Sequence, residues 1–270
     1  DLLDGNRQSQ VRRIVLPTPP TDAAAKYVRE AVLEFPELYF SRLVVLGEGD
    51  SEQIVLPRVL AAVGIAEDDA SVSVVPLGGR HVNHFWRLLH ELEIPHVTLL
   101  DLDSGRYQGG WGRVRYALKQ YNKLKQTFAQ DKIDALPEWN DAKNFPAFTE
   151  GKGAISTLEK KGVYFSHPVD LDLMMLEAFP DAYGVESVGT PDDSAIAAVL
   201  GKSRANEDRL PSGVRELFDD YHRLFDLKSK PASHLRAMAA LTDEELLEGL
   251  PEVLDRLVAD VRAKLGALPE

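Results

Sequence analysis

The chain has 270 residues, of which 44% are hydrophobic and none is cysteine, and its formal net charge at pH 7 is −12. A chain of this length and composition buries a substantial core, so we expect one large domain with a smaller one. The lack of cysteine excludes disulfides and thiolate metal sites, which leaves carboxylate, imidazole and carbonyl groups as metal ligands. The acidic net charge argues on its face against a nucleic-acid partner, although one basic segment runs against that average.

No apolar run reaches the roughly 18 residues that a membrane-spanning helix needs. The N-terminus has no signal-peptide pattern. We therefore expect no membrane partner and a cytoplasmic location. The first residues, Asp1-Leu2-Leu3, lead almost at once into a strand-like run, as a piece of a longer chain would.

Strand and helix patterns alternate along the N-terminal part of the chain. A short strand at Arg12–Leu16 and a helix ending near Phe35 come before an apolar run, Leu43–Leu46, whose unbroken hydrophobicity indicates a strand buried on both faces. The pattern then predicts helix 53–63, strand 72–75, a glycine turn at 78–80, helix 81–92 and strand 97–100. Three strand–helix alternations in about 65 residues predict a mostly parallel α/β sheet with right-handed crossovers.

The rest of the chain is predominantly helical by pattern. An irregular insertion follows a basic segment, and strand character returns at Val163–Ser166. Thr242 and Glu245 form a capping-box pattern that starts the last helical segments. The later helices are predicted from 191, over 214–225, over 233–241 and from 243 to about 265.

Two acidic clusters follow two of the predicted strands. Glu48 and Glu52 lie in the turn after the first central strand, and Asp101 and Asp103 follow the third. If these strands are neighbours in one parallel sheet, the carboxylates converge at its C-terminal edge, where open α/β sheets bind their ligands. Such like charges need a counter-charge, and oxygen-only ligands favour Mg²⁺, Mn²⁺ or Ca²⁺ over zinc. Two ions about 3.5–4 Å apart can activate a water and neutralise the leaving oxygen of a phosphodiester.

Local geometry supports this interpretation. Glu48 at the strand end and Glu52 in the first helical turn can lean toward one ion, and we expect Ser51 to cap the helix. Asp101 and Asp103 alternate along an extended segment, so their side chains are expected on one side. An Asp-x-Asp alone is weak evidence, since exposed aspartates after strands are commonly turn formers. The joint placement of both clusters is what indicates a metal site.

The segment from residue 104 to residue 130 is basic and rich in aromatic residues, and it contains no acidic residue. Arg115, Lys119 and Lys123 are spaced four apart, so they share one face if Gly112–Gln130 is helical. Such cations displace counterions from DNA phosphates, and the aromatic rings can stack or pack. An ordinary amphipathic helix with a solvated face is the alternative interpretation. The cations that we expect to contact DNA are Arg80, Arg106, Arg113, Arg115, Lys119 and Lys123.

Three stretches of the sequence together resemble a known family. They are VVLGEGDSEQIVLPRVL at 44–60, VVPLGGRHVNHFWRLLHELEIPHVTLLDLD at 74–103 and KSKPASHLRAMAAL at 228–241. They resemble the C-terminal region of ATP-dependent endonucleases of the OLD (overcoming lysogenization defect) family. The resemblance implies a Toprim-type, mostly parallel α/β sheet flanked by helices, with a helical insertion or helical domain. It also implies a DNA endonuclease that uses two divalent metal ions, Mg²⁺ with Mn²⁺ or Ca²⁺ as alternatives.

The resemblance assigns roles to individual carboxylates and to one lysine. The family's Glu-x-x-x-Glu falls on Glu48 and Glu52, and its Asp-x-Asp falls on Asp101 and Asp103. A late lysine is matched by Lys230, which could stabilise the scissile phosphate or the leaving group. A solvated loop cation is the alternative interpretation of that lysine.

The resemblance also implies one late acidic metal ligand. We favour Glu216 for this role, with Asp170 and Asp172 as rivals.

Full-length members of the family carry an N-terminal ABC-type ATPase domain, so the resemblance implies that partner and allows homo-oligomers formed through the full-length protein. This chain contains no G-x-x-x-x-G-K-[ST] motif, so we assign it no nucleotide hydrolysis. A role in phage defence or DNA processing is what the resemblance suggests. The predicted divisions are a connecting strand–helix segment (1–35), a Toprim core (36–112), a basic helix with an irregular insertion (113–160), the remainder of the core with helical elements (161–240) and C-terminal helices (241–270).

Two other functions compete with the nuclease. A metal-dependent nucleotide-sugar transferase would use Asp101 and Asp103 to hold a metal bound to a diphosphate, but it leaves Glu48 and Glu52 unexplained. A non-catalytic regulatory module would bind one Mg²⁺ in the acidic pocket and use its helical part to dock a partner.

Overall fold

A computed structural model of the protein describes residues 35–66, 70–78, 82–125, 127–141, 153–186, 189–201, 210, 212–228 and 230–268. The predicted strand 12–16 lies outside the described residues, as do nearly all of the helix expected before residue 36, the Gly79-Arg80 part of the glycine turn and His81 at the start of the next predicted helix.

Four parallel strands form the sheet, in the order β2-β1-β3-β4. They are β1 (Leu43–Gly47), β2 (Val72–Pro76), β3 (His96–Asp101) and β4 (Val163–Ser166). The two strands that carry the acidic clusters, β1 and β3, are direct neighbours, as the sequence predicted. The chain passes from β1 to β2 on one side of it and then crosses to β3 on the other side. A topological switch point therefore lies between the C-terminal ends of β1 and β3.

Helices cover both faces of this sheet, and a short 3₁₀ turn at Pro36–Tyr39 precedes β1. No helix of the described residues is both long and apolar enough to cross a membrane. The helices are α1 (Asp50–Ala62), α2 (Val82–Glu91), α3 (Trp111–Leu124), α4 (Gln130–Asp134), α5 (Gly153–Glu159), α6 (Leu171–Ala178), α7 (Pro180–Tyr183), α8 (Asp193–Leu200), α9 (Ser212–Arg215), α10 (Phe218–Tyr221), α11 (Lys230–Ala240), α12 (Asp243–Glu248) and α13 (Glu252–Gly266).

The strands alternate their side chains between two cores. In β1, Leu43 and Val45 pack into a core with helices α1, α6, α8 and α10 to α13, whereas Val44 and Leu46 pack into a second core with α2, α3 and α5. Every residue of β1 is buried, which is why the sequence shows an unbroken apolar run there. The C-terminal helices α12 and α13 contribute to the same core as β1.

The predicted basic helix ends earlier than its sequence pattern indicated. The helix α3 stops at Leu124 rather than near residue 130. The side chain of Asn122 folds back over the end of the helix, where its amide oxygen accepts the backbone N–H groups of Thr127 and Phe128. This local capping competes with continuation of the helix.

The helix predicted over 214–225 is instead broken into α9, α10 and a π-helical turn at His222–Asp226. Aspartate is a weak helix former because its side chain competes for nearby backbone groups. Here the buried carboxylate of Asp220 accepts the backbone N–H of Glu186 and the guanidinium of Arg223. These contacts of Asp220 stabilise short helical turns in this segment instead of one continuous helix.

Candidate active site

The site lies at the switch point, where β1 and β3 end side by side. Glu48 directly follows β1, and Asp101 is the last residue of β3. The backbone N–H of Asp101 donates to Oε1 of Glu48 over 3.0 Å. The two acidic clusters, 53 positions apart in the chain, are therefore in direct contact.

Glu52 is held in the first turn of α1 and is only 3% exposed. Its Oε2 accepts the backbone N–H of Gly49 over 2.8 Å, and Gly49 rather than the predicted Ser51 is the N-cap of the helix. Gly47 makes room for this side chain, since a β-carbon at that position would lie 2.2 Å from Cβ of Glu52. Burial raises the pKa of Glu52 to about 7, and the charges of two neighbouring aspartates add to the effect.

Asp101 is fixed by groups that do not neutralise it. Its Oδ1 accepts the hydroxyl of Ser166 over 2.7 Å and the backbone N–H of Leu171 over 3.3 Å. Burial raises the pKa of Asp101 well above its usual value, and the charges of Glu52 and Asp170 raise it further. Within the described residues, neither Asp101 nor Glu52 forms an ion pair with a cationic side chain.

Asp103 departs from the extended backbone that the sequence predicted for it. The strand ends at Asp101, and Asp103 has a φ of +55°, in the left-handed region. Its Oδ1 accepts Nη1 of Arg106 over 2.8 Å, and its Oδ2 lies 3.2 Å from Nε of Arg113. Gly109 permits this loop, since a β-carbon there would lie 1.7 Å from the carbonyl oxygen of Asp103.

Arg106 and Arg113 lie within the acidic cluster, although the sequence suggested that they contact DNA. Arg113 is 6% exposed and donates to Glu48 and to the carbonyl oxygen of Asp101. Arg106 donates to Asp103 and, through Nη2 over 2.6 Å, to Oδ2 of Asp170. The two guanidinium groups therefore act as internal counter-charges of the site.

Asp170 and Asp172 come to the site from the N-terminus of α6. They are 4% and 3% exposed, and both line the same cavity as Glu52 and Asp101. Oδ1 of Asp170 caps α6 by accepting the backbone N–H of Leu173, and its Oδ2 accepts the hydroxyl of Tyr221 over 2.8 Å.

Glu216, the favoured late acid, is exposed between α9 and α10 and is not among the residues that line this cavity. The two rivals named from the sequence, Asp170 and Asp172, thus have the placement that the late-ligand hypothesis requires.

Lys230 begins α11 and reaches the cavity with its side chain 43% exposed. Its Nζ donates to Oδ2 of Asp172 over 2.6 Å. Although burial opposes the effect, the charge of Asp172 raises the pKa of Lys230. The late lysine that the sequence singled out therefore lies within the acidic cluster and stays protonated at neutral pH.

Asp172 also contacts residues that the sequence did not single out. Its Oδ1 accepts the hydroxyl of Ser51 over 2.6 Å and lies 2.9 Å from Nε2 of His234. Although burial opposes the effect, hydrogen bonds from His234 and Lys230 lower the pKa of Asp172. The sequence placed Lys230 in a loop before a helix predicted over 233–241, whereas the helix begins at Lys230, so the four-residue spacing to His234 was the one signal that could have paired them.

The other predicted DNA contacts are spread along α3. Arg115 donates to the carbonyl oxygens of Leu136 and Pro137. Lys119 and Lys123 are exposed. Arg80 lies outside the described residues.

The cavity has a volume of about 240 Å³. Glu48, Glu52, Asp101, Arg106, Asp170, Asp172 and Lys230 line it together with residues 49–51 and Leu171. Within the described part of the chain, no three His, Asp or Glu side chains are arranged around one point as metal ligands. Glu48 and Asp103 are paired with arginines instead.

The donor chemistry nevertheless fits a hard divalent cation. All the acidic groups are oxygen ligands, and burial raises the pKa values of Glu52 and Asp101, which have no cationic partner among the described residues. A cation at the cavity would supply that charge. Glu52 and Asp101, with Asp170 or Asp172 beside them, are the residues that would hold it.

Comparisons with known proteins identify the type of domain that part of the chain forms. Residues 39–103 match the family model of the Toprim domain of proteins like the overcoming lysogenization defect protein. No curated protein matches the chain in sequence. Toprim domains generally bind divalent metals, and this match covers both acidic clusters.

Two solved structures share the fold. The C-terminal region of the Xanthomonas campestris pv. campestris OLD protein matches with 16% identity and a TM-score of 0.52, covering 84% of this chain and 97% of that one. The C-terminal region of the Burkholderia pseudomallei OLD protein matches with 18% identity and a TM-score of 0.53, covering 84% and 99%. Residues 39–103 therefore match a Toprim domain, within a parallel α/β sheet flanked by helices. The chain shares its fold with the C-terminal region of OLD proteins, which confirms the resemblance found in the sequence.

Proposed function

We propose that this chain is a metal-dependent DNA endonuclease, the nuclease half of an OLD-type protein whose ATPase half is a separate N-terminal domain. The observation that supports this most directly is the cavity at the switch point. The carboxyls of Glu52 and Asp101, which have no cationic partner among the described residues, line it together with the ammonium group of Lys230. Anionic ligands and an ammonium group held by Asp172 around a small cavity suit hydrolysis of a phosphodiester with two divalent ions.

Each group of the chain has a defined task in this proposal. Divalent ions, when bound, supply Lewis-acid chemistry that neutralises the phosphate and acidifies the attacking water. Glu52 and Asp101 bind these ions through their carboxylate oxygens. Lys230 holds a proton and a positive charge where the leaving oxygen develops its negative charge. Arg106 and Arg113 keep Asp103 and Glu48 oriented at the edge of the site.

The substrate is gripped outside the cavity in this proposal. Lys119 and Lys123, exposed on α3, are available to neutralise phosphates. Arg106 and Arg113 are engaged by carboxylates, so we assign them to the electrostatics of the site rather than to the DNA backbone.

The test is nicking of supercoiled plasmid with Mg²⁺ or Mn²⁺, compared with the same reaction in chelator. Asp101→Asn keeps the size of the side chain and an oxygen that can accept the bonds from Ser166 and Leu171, but removes the charge. We expect it to lower the nicking rate by roughly a hundredfold or more. Asp255→Asn, on the exposed face of α13, is the matched control and should nick like the parent protein.

Metal-independent nicking, or nicking that persists in Asp101→Asn, would contradict the proposal. Tight binding of a single Mg²⁺ without cleavage would favour the regulatory module. Metal-dependent breakdown of a nucleotide sugar with no effect on plasmid would favour the transferase.

A further inference from the structure

A continuous chain of hydrogen bonds runs from the interior of the protein to Lys230. The hydroxyl of Tyr183 lies 2.6 Å from Nδ1 of His234, and Nε2 of His234 lies 2.9 Å from Oδ1 of Asp172. Oδ2 of Asp172 accepts Nζ of Lys230 over 2.6 Å. The interior members are inaccessible to solvent: His234 is 0%, Asp172 is 3% and Tyr183 is 5% exposed.

The direction of each hydrogen bond follows from the chemistry of the partners. The pKa of Asp172 is lowered, so its ionised carboxylate can only accept, and Nε2 of His234 donates to it. In the neutral imidazole Nδ1 is then the acceptor, and the hydroxyl of Tyr183 donates to it. The tyrosine thus fixes both the tautomer and the ring orientation of the histidine, and the histidine fixes the carboxylate.

The sequence of α11 places both partners of Asp172 on one face. Lys230 is the first residue of this helix and His234 lies one turn later, so both reach the same carboxylate. A cation at a helix N-terminus is unfavourable, because that end carries the positive pole of the helix dipole. The carboxylate of Asp172 offsets this cost, because its Oδ2 accepts the ammonium group and holds it at the cavity.

We propose that Tyr183, His234 and Asp172 form a brace that holds the ammonium group of Lys230 at the edge of the cavity, with His234 and Tyr183 as positioning residues. The inference rests on the proposed nuclease function for its catalytic meaning, but the brace itself is testable without catalysis. Neither His234 nor Tyr183 is among the residues that line the cavity, so they act on the reaction only through Asp172 and Lys230.

The first experiment measures how fast the amine of Lys230 is acetylated in chelator, by peptide mass spectrometry, with exposed Lys119 as the internal reference. Asp172→Asn gives the rate for an unbraced lysine. We expect the acetylation rate of Lys230 in His234→Leu to approach the rate in Asp172→Asn. The rate in Tyr183→Phe should lie between those of Asp172→Asn and the parent. His234→Gln should stay near the parent rate, because its amide N–H can take the place of Nε2–H. Equal acetylation of Lys230 in the parent and in His234→Leu, with both folded by circular dichroism, would overturn the proposal.

The second experiment separates positioning from binding in the nuclease reaction. We expect His234→Leu to lower kcat about tenfold to a hundredfold, with KM for DNA unchanged and with most of the rate restored in His234→Gln. A rise in KM with kcat unchanged would overturn the positioning role. If the parent protein does not nick DNA at all, the proposed function fails, while the acetylation rates still decide whether the brace exists.

Discussion

Glu52 and Asp101 are the residues on which the chemistry of the site depends most. Both are carboxyl groups in a protein interior, and neither is neutralised by a cationic side chain in the described residues. A protein keeps such groups only where a ligand compensates them or where a proton does, because a buried lone charge costs several kcal/mol. The raised pKa values therefore indicate that a bound cation would stabilise the ionised carboxyl groups of Glu52 and Asp101.

The raised pKa of Glu52 predicts how the stability of the folded protein depends on pH in the absence of metal. The pKa of Glu52 is raised to about 7 in the folded state, so the folded protein holds a proton that the unfolded chain has released. The stability that this proton confers is full below the ordinary carboxyl pKa and is lost as the pH rises through about 7. Glu52→Gln removes the titration, so at pH 8 in chelator we expect it to be more stable than the parent, by on the order of 3 kcal/mol.

Urea unfolding at pH 5 and pH 8 measures this difference. Glu244→Gln, an exposed carboxyl on α12, is the matched control and should follow the parent at both values. Mg²⁺ should raise the stability of the parent more at pH 8 than at pH 5, because binding competes with the proton. Identical pH dependence of the parent and Glu52→Gln would contradict the assignment.

The cationic side chains of helix α3 lie in different environments, which their charge alone does not reveal. Its cations look equivalent in the sequence, yet Arg113 is 6% exposed and bound to two carboxylates, whereas Lys119 is exposed. One face of the helix completes the acidic cluster, and the other is free to meet a polyanion. We therefore expect the removal of Arg113 and the removal of Lys119 to have different effects on the protein.

Arg113→Gln should destabilise the protein by about 1–3 kcal/mol, because it removes the cationic partner of Glu48 and leaves Asp103 with Arg106 alone. Lys119→Gln should leave the melting temperature unchanged and weaken DNA binding, with the salt dependence of binding reduced by about one phosphate contact. Differential scanning calorimetry and fluorescence anisotropy at several salt concentrations make the comparison. A stable Arg113→Gln with weakened DNA binding would show instead that this arginine contacts the phosphate backbone.

The same contrast explains how far the sequence could predict the site. Glu48 and Asp101 follow strands whose burial is visible as unbroken apolar runs, so their meeting at the edge of the sheet was predictable. The pairing of the arginines with them was not, since it depends on how α3 is rotated against the sheet. The contact of His234 with Asp172 depends on tertiary packing between α11 and α6, for which the local pattern carries no signal beyond the four-residue spacing.

At the scale of the whole molecule, the C-terminal helices belong to the same packed interior as the sheet. Leu246 of α12 and Leu257 of α13 are fully buried in the core that contains Leu43 and Val45 of β1. The sequence predicted C-terminal helices over 241–270, and its capping box marks a clear helix start there. Such a start defines a helix but does not show what the helix packs against.

Two adjacent leucines test whether this interior unfolds as one unit. Leu246 is 0% exposed and Leu247 is 38% exposed. Leu246→Ala should cost about 2–5 kcal/mol, and it should lower hydrogen-exchange protection equally in β1 and in α13. Leu247→Ala should change stability by less than about 0.5 kcal/mol. Loss of protection confined to the C-terminal helices would show that they form an independent unit.

The contact between Ser51 and Asp172 joins positions 121 apart in the chain, and Lys230 follows Asp172 by another 58. At ribosomal speeds of about 5–20 residues per second, roughly ten seconds or more pass between the emergence of the first acidic cluster and that of the lysine. In the nascent polypeptide the carboxylate of Asp172 is therefore made before Lys230, its basic partner. Under the proposed function, the capacity to cut DNA arises only after Lys230 has been synthesised.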